Sequence, residues 1–171
     1  NGNFALAKRL ADAAARAGAD AVKFQTFISE KVVSKSAGLA EYQADGRKGS
    51  GSQLDLIKKY ELTFGQFRRL KEHCDKIGIK FMTTPDDFES ADFADTLVDV
   101  FKIGSGEVTN TPFLRHIAAK GRPIILSTGM ATLAETRRAV REIAAARPKK
   151  MRASEFPPIT LLHCVSNYPA A

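Results

Sequence analysis

Segments of helical period alternate with short apolar segments along this chain, and that alternation restricts the possible folds more than any single motif does. From Phe4 to Ala17 the apolar residues Phe4, Leu6, Ala7, Leu10, Ala11 and Ala14 recur at helical spacing, and Gly18 supplies a stop. Ala21 to Gln25 is a short apolar strand. The spacing next predicts a short helix around Leu54, Ile57 and Tyr60. A longer helix follows, opened by the capping box Thr63-Phe64-Gly65-Gln66, with Phe67, Leu70, Cys74 and Ile77 on one face and Gly78 at its end. Strand Ile79–Thr84 precedes a helix over Asp86–Leu97, whose acids Asp86, Asp87 and Glu89 suit a helix N-terminus. Strand Val100–Ile103 leads to a helix with Thr111 as cap and Pro112 at the first helical position, ended by Lys120-Gly121. Strand Pro123–Ser127, a helix opened by the box Thr132-Leu133-Ala134-Glu135, and strand Ile159–His163 complete the pattern.

Two connections are long. Thr26 to Ser52 is polar and glycine-bearing, and a connection of that length in a compact domain is usually functional or mobile. Arg147 to Pro158 is basic and proline-bearing.

An order of helix, four strand-helix units and a final strand demands a parallel sheet with right-handed crossovers. A doubly wound open sheet and part of a (β/α)8 barrel both satisfy it. The dinucleotide-binding fingerprint is absent, because Gly104-Ser105-Gly106 lacks the third glycine at the required spacing. Polar residues at every strand end fit a barrel mouth better than an open sheet, which concentrates its site at one crossover point. Five strands cannot close a barrel of eight. The fold expected is therefore α/β, an incomplete portion of a (β/α)8 TIM barrel. Both ends look cut: Asn1-Gly2-Asn3 enters a helix with no preceding strand, and Asn167 to Ala171 stops just after an apolar strand.

The strand ends carry the candidate chemistry. Val22-Lys23-Phe24-Gln25-Thr26, Phe81-Met82-Thr83-Thr84-Pro85, Phe101-Lys102-Ile103-Gly104-Ser105-Gly106-Glu107 and Ile124-Ile125-Leu126-Ser127-Thr128-Gly129 each pass from apolar residues to a cation, hydroxyls or an amide. Lys23 and Lys102 follow apolar runs, where a lysine must reach an anion or meet a carboxylate to offset desolvation. With Thr84, Ser105 and Ser127 at equivalent ends, they form a plausible receptor for a phosphorylated anion. Gly104 and Gly106 allow a tight turn around Ser105 that could present amide hydrogens as an anion nest. Glu107 could bind sugar hydroxyls, move a proton, or neutralise Lys23 or Lys102. Gln25 shares a strand face with Lys23. His163 has no second histidine at metal-ligand spacing and reads as structural.

The formal charge is +7, but cations and acids are interleaved outside the cluster Arg147, Lys149, Lys150 and Arg152. No basic stripe with interleaved aromatics is present, so nucleic acid is not an expected partner. The two cysteines, Cys74 and Cys164, form no Cys-x-x-Cys pair or framework, which favours a reducing compartment and disfavours a structural zinc site. No run approaches a membrane span, and no signal peptide is visible. The expected location is the cytoplasm.

Four motifs in order resemble the sialic acid synthase family, the phosphoenolpyruvate-condensing enzymes of N-acetylneuraminate and related nonulosonate biosynthesis. They are Ala17 to Thr26, Phe101 to Glu107, Ile124 to Met130 and Leu161 to Pro169, with Tyr42-Gln43 in the long connection. The resemblance implies a (β/α)8 barrel that condenses phosphoenolpyruvate with an open-chain N-acetylated amino sugar such as N-acetylmannosamine and releases phosphate; the alternatives are a synthase for another nonulosonate, legionaminic or pseudaminic acid, and a non-catalytic phosphate- or sugar-binding barrel segment. It places phosphoenolpyruvate contacts on Lys23, Thr84, Lys102, Ser105, Ser127 and Ser166, and sugar contacts on Gln25, Glu107 and Tyr168. Glu107, Lys23 and Lys102 would be the catalytic set. It also implies a divalent metal, usually Mn2+, whose histidine ligands lie downstream of this chain, a homodimer, and a C-terminal antifreeze-like domain beyond residues 1–171. The isolated segment is then expected to be inactive. Thr83-Thr84-Pro85-Asp86-Asp87 departs from the family pattern, in which serine commonly comes first and phenylalanine follows the proline; Thr84 still suits a phosphate, while the sugar pocket's shape is open.

Overall fold

The computed structural model describes residues 2–34, 37, 52–148 and 157–165. The chain divides into two compact units, Asn1–Phe81 and Met82–Ala171.

In the first unit α1 spans Phe4–Arg16, and the Asn3 side chain caps it by accepting from the Leu6 N–H at 2.9 Å. Gly18, at φ 77°, takes the left-handed conformation that ends the helix. β1 is Ala21–Thr26. The long connection read from the sequence contains a short helix, α2 (Ser29–Val32), anchored because Glu61 accepts from both the N–H and the hydroxyl of Ser29. α3 (Gln53–Lys58) is opened by a capping box of Ser52 and Asp55. α4 (Phe64–Ile77) starts at the Thr63/Gln66 box and ends at Gly78, φ 76°. Its buried Phe67, Leu70 and Cys74 pack with Ala7 and Ala11 of α1. Leu10, counted on the apolar face of α1, is exposed, because the buried stripe runs through positions 7 and 11 and leaves 10 at its margin. β2 (Lys80–Pro85) pairs with β1, and the Lys80 N–H donates to the Asp20 carbonyl at 3.1 Å. Phe24 stacks on Phe81 with ring centroids 5.6 Å apart.

In the second unit α5 covers Phe88–Asp95. It begins after Asp86 because Asp87 is its cap, accepting from the N–H and hydroxyl of Ser90 at 2.8 and 2.6 Å. The Thr96 hydroxyl turns back onto the Phe93 carbonyl at its other end. β3 is Phe101–Ile103, followed by a 3-10 turn over Ser105–Glu107. The cap of α6 (Thr111–Ala118) is Asn110 and not Thr111, so Pro112 occupies the second helical position, where its missing N–H is equally harmless. β4 (Ile124–Ser127) precedes α7 (Leu133–Ala145), which opens with the expected Thr132/Glu135 box, and β5 is Ile159–Leu162.

β3, β4 and β5 form a parallel sheet in that order, with Phe101, Lys102 and Ile103 opposite Ile124, Ile125 and Leu126. Strand alternation divides its faces. Phe101, Ile103, Ile124 and Leu126 are fully buried and share the core with Phe113, Leu114 and Ile117 of α6 and Ala139 and Ile143 of α7. Lys102, Ile125 and Ser127 occupy the opposite, half-buried face.

Candidate strand-end anion site

In the second unit Lys102 sits between two fully buried neighbours, Phe101 and Ile103, so the pleat turns it to the other face. Its backbone lies opposite Ile125, but its ammonium leans toward the carboxyl end of the sheet and donates to Ser127 Oγ at 2.6 Å. It also donates to the Ile103 carbonyl at 2.8 Å. Both acceptors are uncharged oxygens, and together the two bonds orient the ammonium.

Thr84, next to last in β2, is only 4% exposed, and its hydroxyl has no hydrogen-bond partner among the described residues. A buried hydroxyl left that way costs about 1–3 kcal/mol, which a ligand oxygen or a water would recover. Thr84 lies beside the end of β3: a Cβ on Gly104 would stand 4.0 Å from Thr84 Cγ2.

Ser105 is half-buried at the start of the 3-10 turn. The anion nest expected from Gly104 and Gly106 does not form. Gly104 has φ −69°, neither glycine has positive φ, and the amides of Glu107 and Val108 are turned onto the carbonyls of Gly104 and Ser105. The contribution of this turn is thus the Ser105 hydroxyl and the Glu107 carboxylate. Glu107 accepts from Asn110 Nδ2 at 2.7 Å, a neutral partner that fixes the carboxylate.

In the first unit Lys23 and Gln25 are exposed on one face of β1, whereas Phe24 faces the other way onto Phe81 and Thr26 is fully buried. Ser166, Tyr168, Tyr42 and Gln43 lie outside the described residues. His163 is exposed just past β5.

Two residues near the site escaped the sequence reading. Asn110 holds Glu107, and its signal was the Asn-x-x spacing ahead of a helix. Thr128 follows Ser127 and bonds to β5 twice, and nothing in the bare sequence distinguishes its hydroxyl from a solvated one.

Elsewhere, burial pushes the Cys74 thiol up to about 11, so it is inert packing. Asp92 is held below its ordinary value, first by its bond from Lys120 and then by that from His116. Among the described residues, no group of three or more His, Cys, Asp or Glu side chains is placed to hold a metal ion, and no helix is long and apolar enough to cross a membrane.

Strands joined by helices, with β3, β4 and β5 parallel and with Lys102 and Ser127 bonded at their carboxyl ends, define an α/β protein. The chain belongs to the NeuB family, whose description matches residues 10–171. It is 43% identical over its whole length to the N,N'-diacetyllegionaminic acid synthase of Legionella pneumophila and 42% identical, over 99% of its length, to that of Campylobacter jejuni. It spans about half of each relative, 47% and 49% respectively. Among solved structures it superposes with a TM-score of 0.77 on the N-acetylneuraminic acid (sialic acid) synthetase of Leptospira borgpetersenii, at 32% identity and covering 99% of this chain and 52% of that one.

Proposed function

We propose that this chain supplies the phosphoenolpyruvate-binding part of a nonulosonate synthase, an enzyme that condenses phosphoenolpyruvate with an open-chain N-acetylated amino sugar and releases phosphate. The observation that carries the reading is the Lys102–Ser127 bond, which holds a cation and a hydroxyl together at the carboxyl ends of adjacent parallel strands. Lys102, Ser105, Ser127 and Thr84 would hold the phosphate and carboxylate of the enol ester, with Lys23 and Ser166 completing the set. Gln25, Glu107 and Tyr168 would meet the sugar.

In this reading the enol C3 forms a bond to the sugar's aldehyde carbon, and the aldehyde oxygen takes a proton. Water adds at C2, and the C2–O bond to phosphate breaks. The chain's residues would orient the enol ester and stabilise its charge, and Glu107, which accepts from Asn110, would bind a sugar hydroxyl or move a proton. The divalent cation implied by the family resemblance finds no cluster among the described residues that fits it.

The chain is read as the central part of a (β/α)8 domain in a cytoplasmic, homodimeric protein. The segment alone should bind phosphoenolpyruvate without turning it over. Among acceptors, the similarity to two N,N'-diacetyllegionaminic acid synthases favours a diacetamido sugar, with N-acetylmannosamine the second reading from the Leptospira synthetase. Calorimetry with phosphoenolpyruvate tests the binding half. We expect saturable binding, weakened about tenfold to a hundredfold by Lys102→Ala from loss of a charged hydrogen bond. No binding, or binding indifferent to that substitution, would overturn it. A phosphate-release assay of the longer protein with Mn2+ and a panel of N-acetylated hexoses names the acceptor, and turnover with none of them would sink the synthase reading.

A further inference from the structure

The end of β4 is tied to β5 by more than strand pairing requires. Ser127 and Leu162 are register partners, and the next amide, Thr128 N–H, donates to the Leu162 carbonyl at 3.0 Å, which extends the parallel ladder by one residue. The Thr128 hydroxyl then donates to the same carbonyl, also at 3.0 Å. A carbonyl has two lone pairs, and here both go to one residue. The second bond is surplus to pairing. What it does is fix the χ1 and backbone of Thr128 together, immediately after the residue that receives Lys102.

The following position leaves no slack. A Cβ on Gly129 would lie 3.2 Å from both the carbonyl oxygen and Sγ of Cys164 and 3.3 Å from the Val165 carbonyl carbon. The chain leaving Ser127 therefore rests directly on the extension of β5. With Thr128 bonded twice and Gly129 in close contact, Ser127 Oγ is held where Lys102 Nζ finds it at 2.6 Å.

We propose that Thr128 is a positioning residue for the anion site: its hydroxyl, through the Leu162 carbonyl, sets Ser127 and thereby the direction of the Lys102 ammonium. This rests on the phosphoenolpyruvate reading above. Thr128 itself need not touch the ligand. Because the bond is solvent-accessible, its net strength is modest and its effect should appear in affinity more than in folding.

The test is calorimetry with phosphoenolpyruvate on the chain and on Thr128→Val, Thr128→Ser, Ser127→Ala and the double variant Ser127→Ala/Thr128→Val, with thermal unfolding of each. Thr128→Val keeps the shape and loses the hydroxyl, and it should weaken binding about threefold to fivefold, no more than Ser127→Ala does. Thr128→Ser should restore affinity to within about twofold, and once Ser127 is alanine, Thr128→Val should add less than about twofold. That loss of effect separates action through Ser127 from general loosening. If Thr128→Val does not fold, Thr128→Ala carries the same comparison. Wild-type affinity in Thr128→Val, no rescue by serine, or an equal loss with and without Ser127 each overturns the proposal while leaving the binding reading intact. Failure of the unsubstituted chain to bind removes the binding reading, and this inference with it.

Discussion

Lys102 lies opposite Ile125 in the β3–β4 ladder, yet its ammonium is bonded to Ser127, two residues further toward the carboxyl end of the sheet. The reach converts a strand-interior lysine into a strand-end one. Since Ile125 and Ser127 share the lysine's face, only a residue with an acceptor at 127 can capture the ammonium, which donates and never accepts. Ser127→Ala should therefore leave the fold in place and weaken phosphoenolpyruvate about threefold to tenfold, as loss of one bond that orients the ammonium, with the Ile103 carbonyl still accepting from it, predicts. Calorimetry beside a thermal melt checks both halves. An unchanged dissociation constant would show that the ammonium is held in place without Ser127.

Much of this was legible in the residues. Period-2 alternation in Phe101-Lys102-Ile103 and Ile124-Ile125-Leu126-Ser127 is enough to place Lys102 and Ser127 on one face, and the boxes at Thr63 and Thr132 mark helix starts because their side chains satisfy amides that water would otherwise serve. The features that were not legible depend on partners distant in the chain. α2 exists because Glu61, 32 residues after Ser29, accepts from it. The Gly-Ser-Gly segment permits a nest and a 3-10 turn equally, and the turn forms, with the amides of Glu107 and Val108 returning to the carbonyls three residues before them. Composition cannot choose between two backbone paths that both glycines allow.

The Thr63 hydroxyl accepts from the Gln66 N–H at 3.2 Å while Gln66 Oε1 accepts from the Thr63 N–H at 2.8 Å. Both ends of this box are uncharged. Thr63→Ala should lower unfolding stability by about 1 kcal/mol, read from urea midpoints, with no change in its pH dependence. Thr63→Ser should recover most of that loss.

Asp92 accepts from Lys120 and His116 and is held below its ordinary 3.8, with the Lys120 bond the larger cause. A carboxylate depressed in the folded state contributes stability that is complete above its unfolded value and disappears as pH falls through the lower folded value. The pair is well exposed, so the contribution is only about 0.5 kcal/mol. Asp92→Asn should lower stability slightly at pH 7 and flatten the acid limb of the urea midpoint below pH 4. Parallel limbs for both proteins would show that other carboxylates govern acid unfolding.

Cys74 is fully buried between α1 and α4 and its thiol is pushed up to about 11, while Cys164 is half-buried beside Gly129. The thiolate is the reactive species, so the two should separate cleanly. In the native protein at pH 8, a disulfide reagent should titrate one thiol rapidly, assignable to Cys164 by its loss in Cys164→Ser. Denaturant should expose the second. Rapid reaction of both in the folded state would mean that the α1–α4 layer opens readily.

Gly129 and Gly106 flank the site on different loops and invite opposite outcomes when given a side chain. A Cβ at 129 meets Cys164 at 3.2 Å through both its carbonyl oxygen and its Sγ, and the backbone atom has no freedom to withdraw without moving β5's extension. A Cβ at 106 meets nothing within 4 Å, and neither glycine has the positive φ that would itself forbid alanine. Gly129→Ala should destabilise by about 1–3 kcal/mol as overpacking. It should also weaken phosphoenolpyruvate binding, because the displaced loop carries Ser127. Gly106→Ala should be neutral or stabilise by up to about 1 kcal/mol through reduced freedom of the unfolded chain. Paired urea melts decide the matter: equal effects at the two positions would mean that the β4 loop does not rest on the end of β5 as its close contacts require.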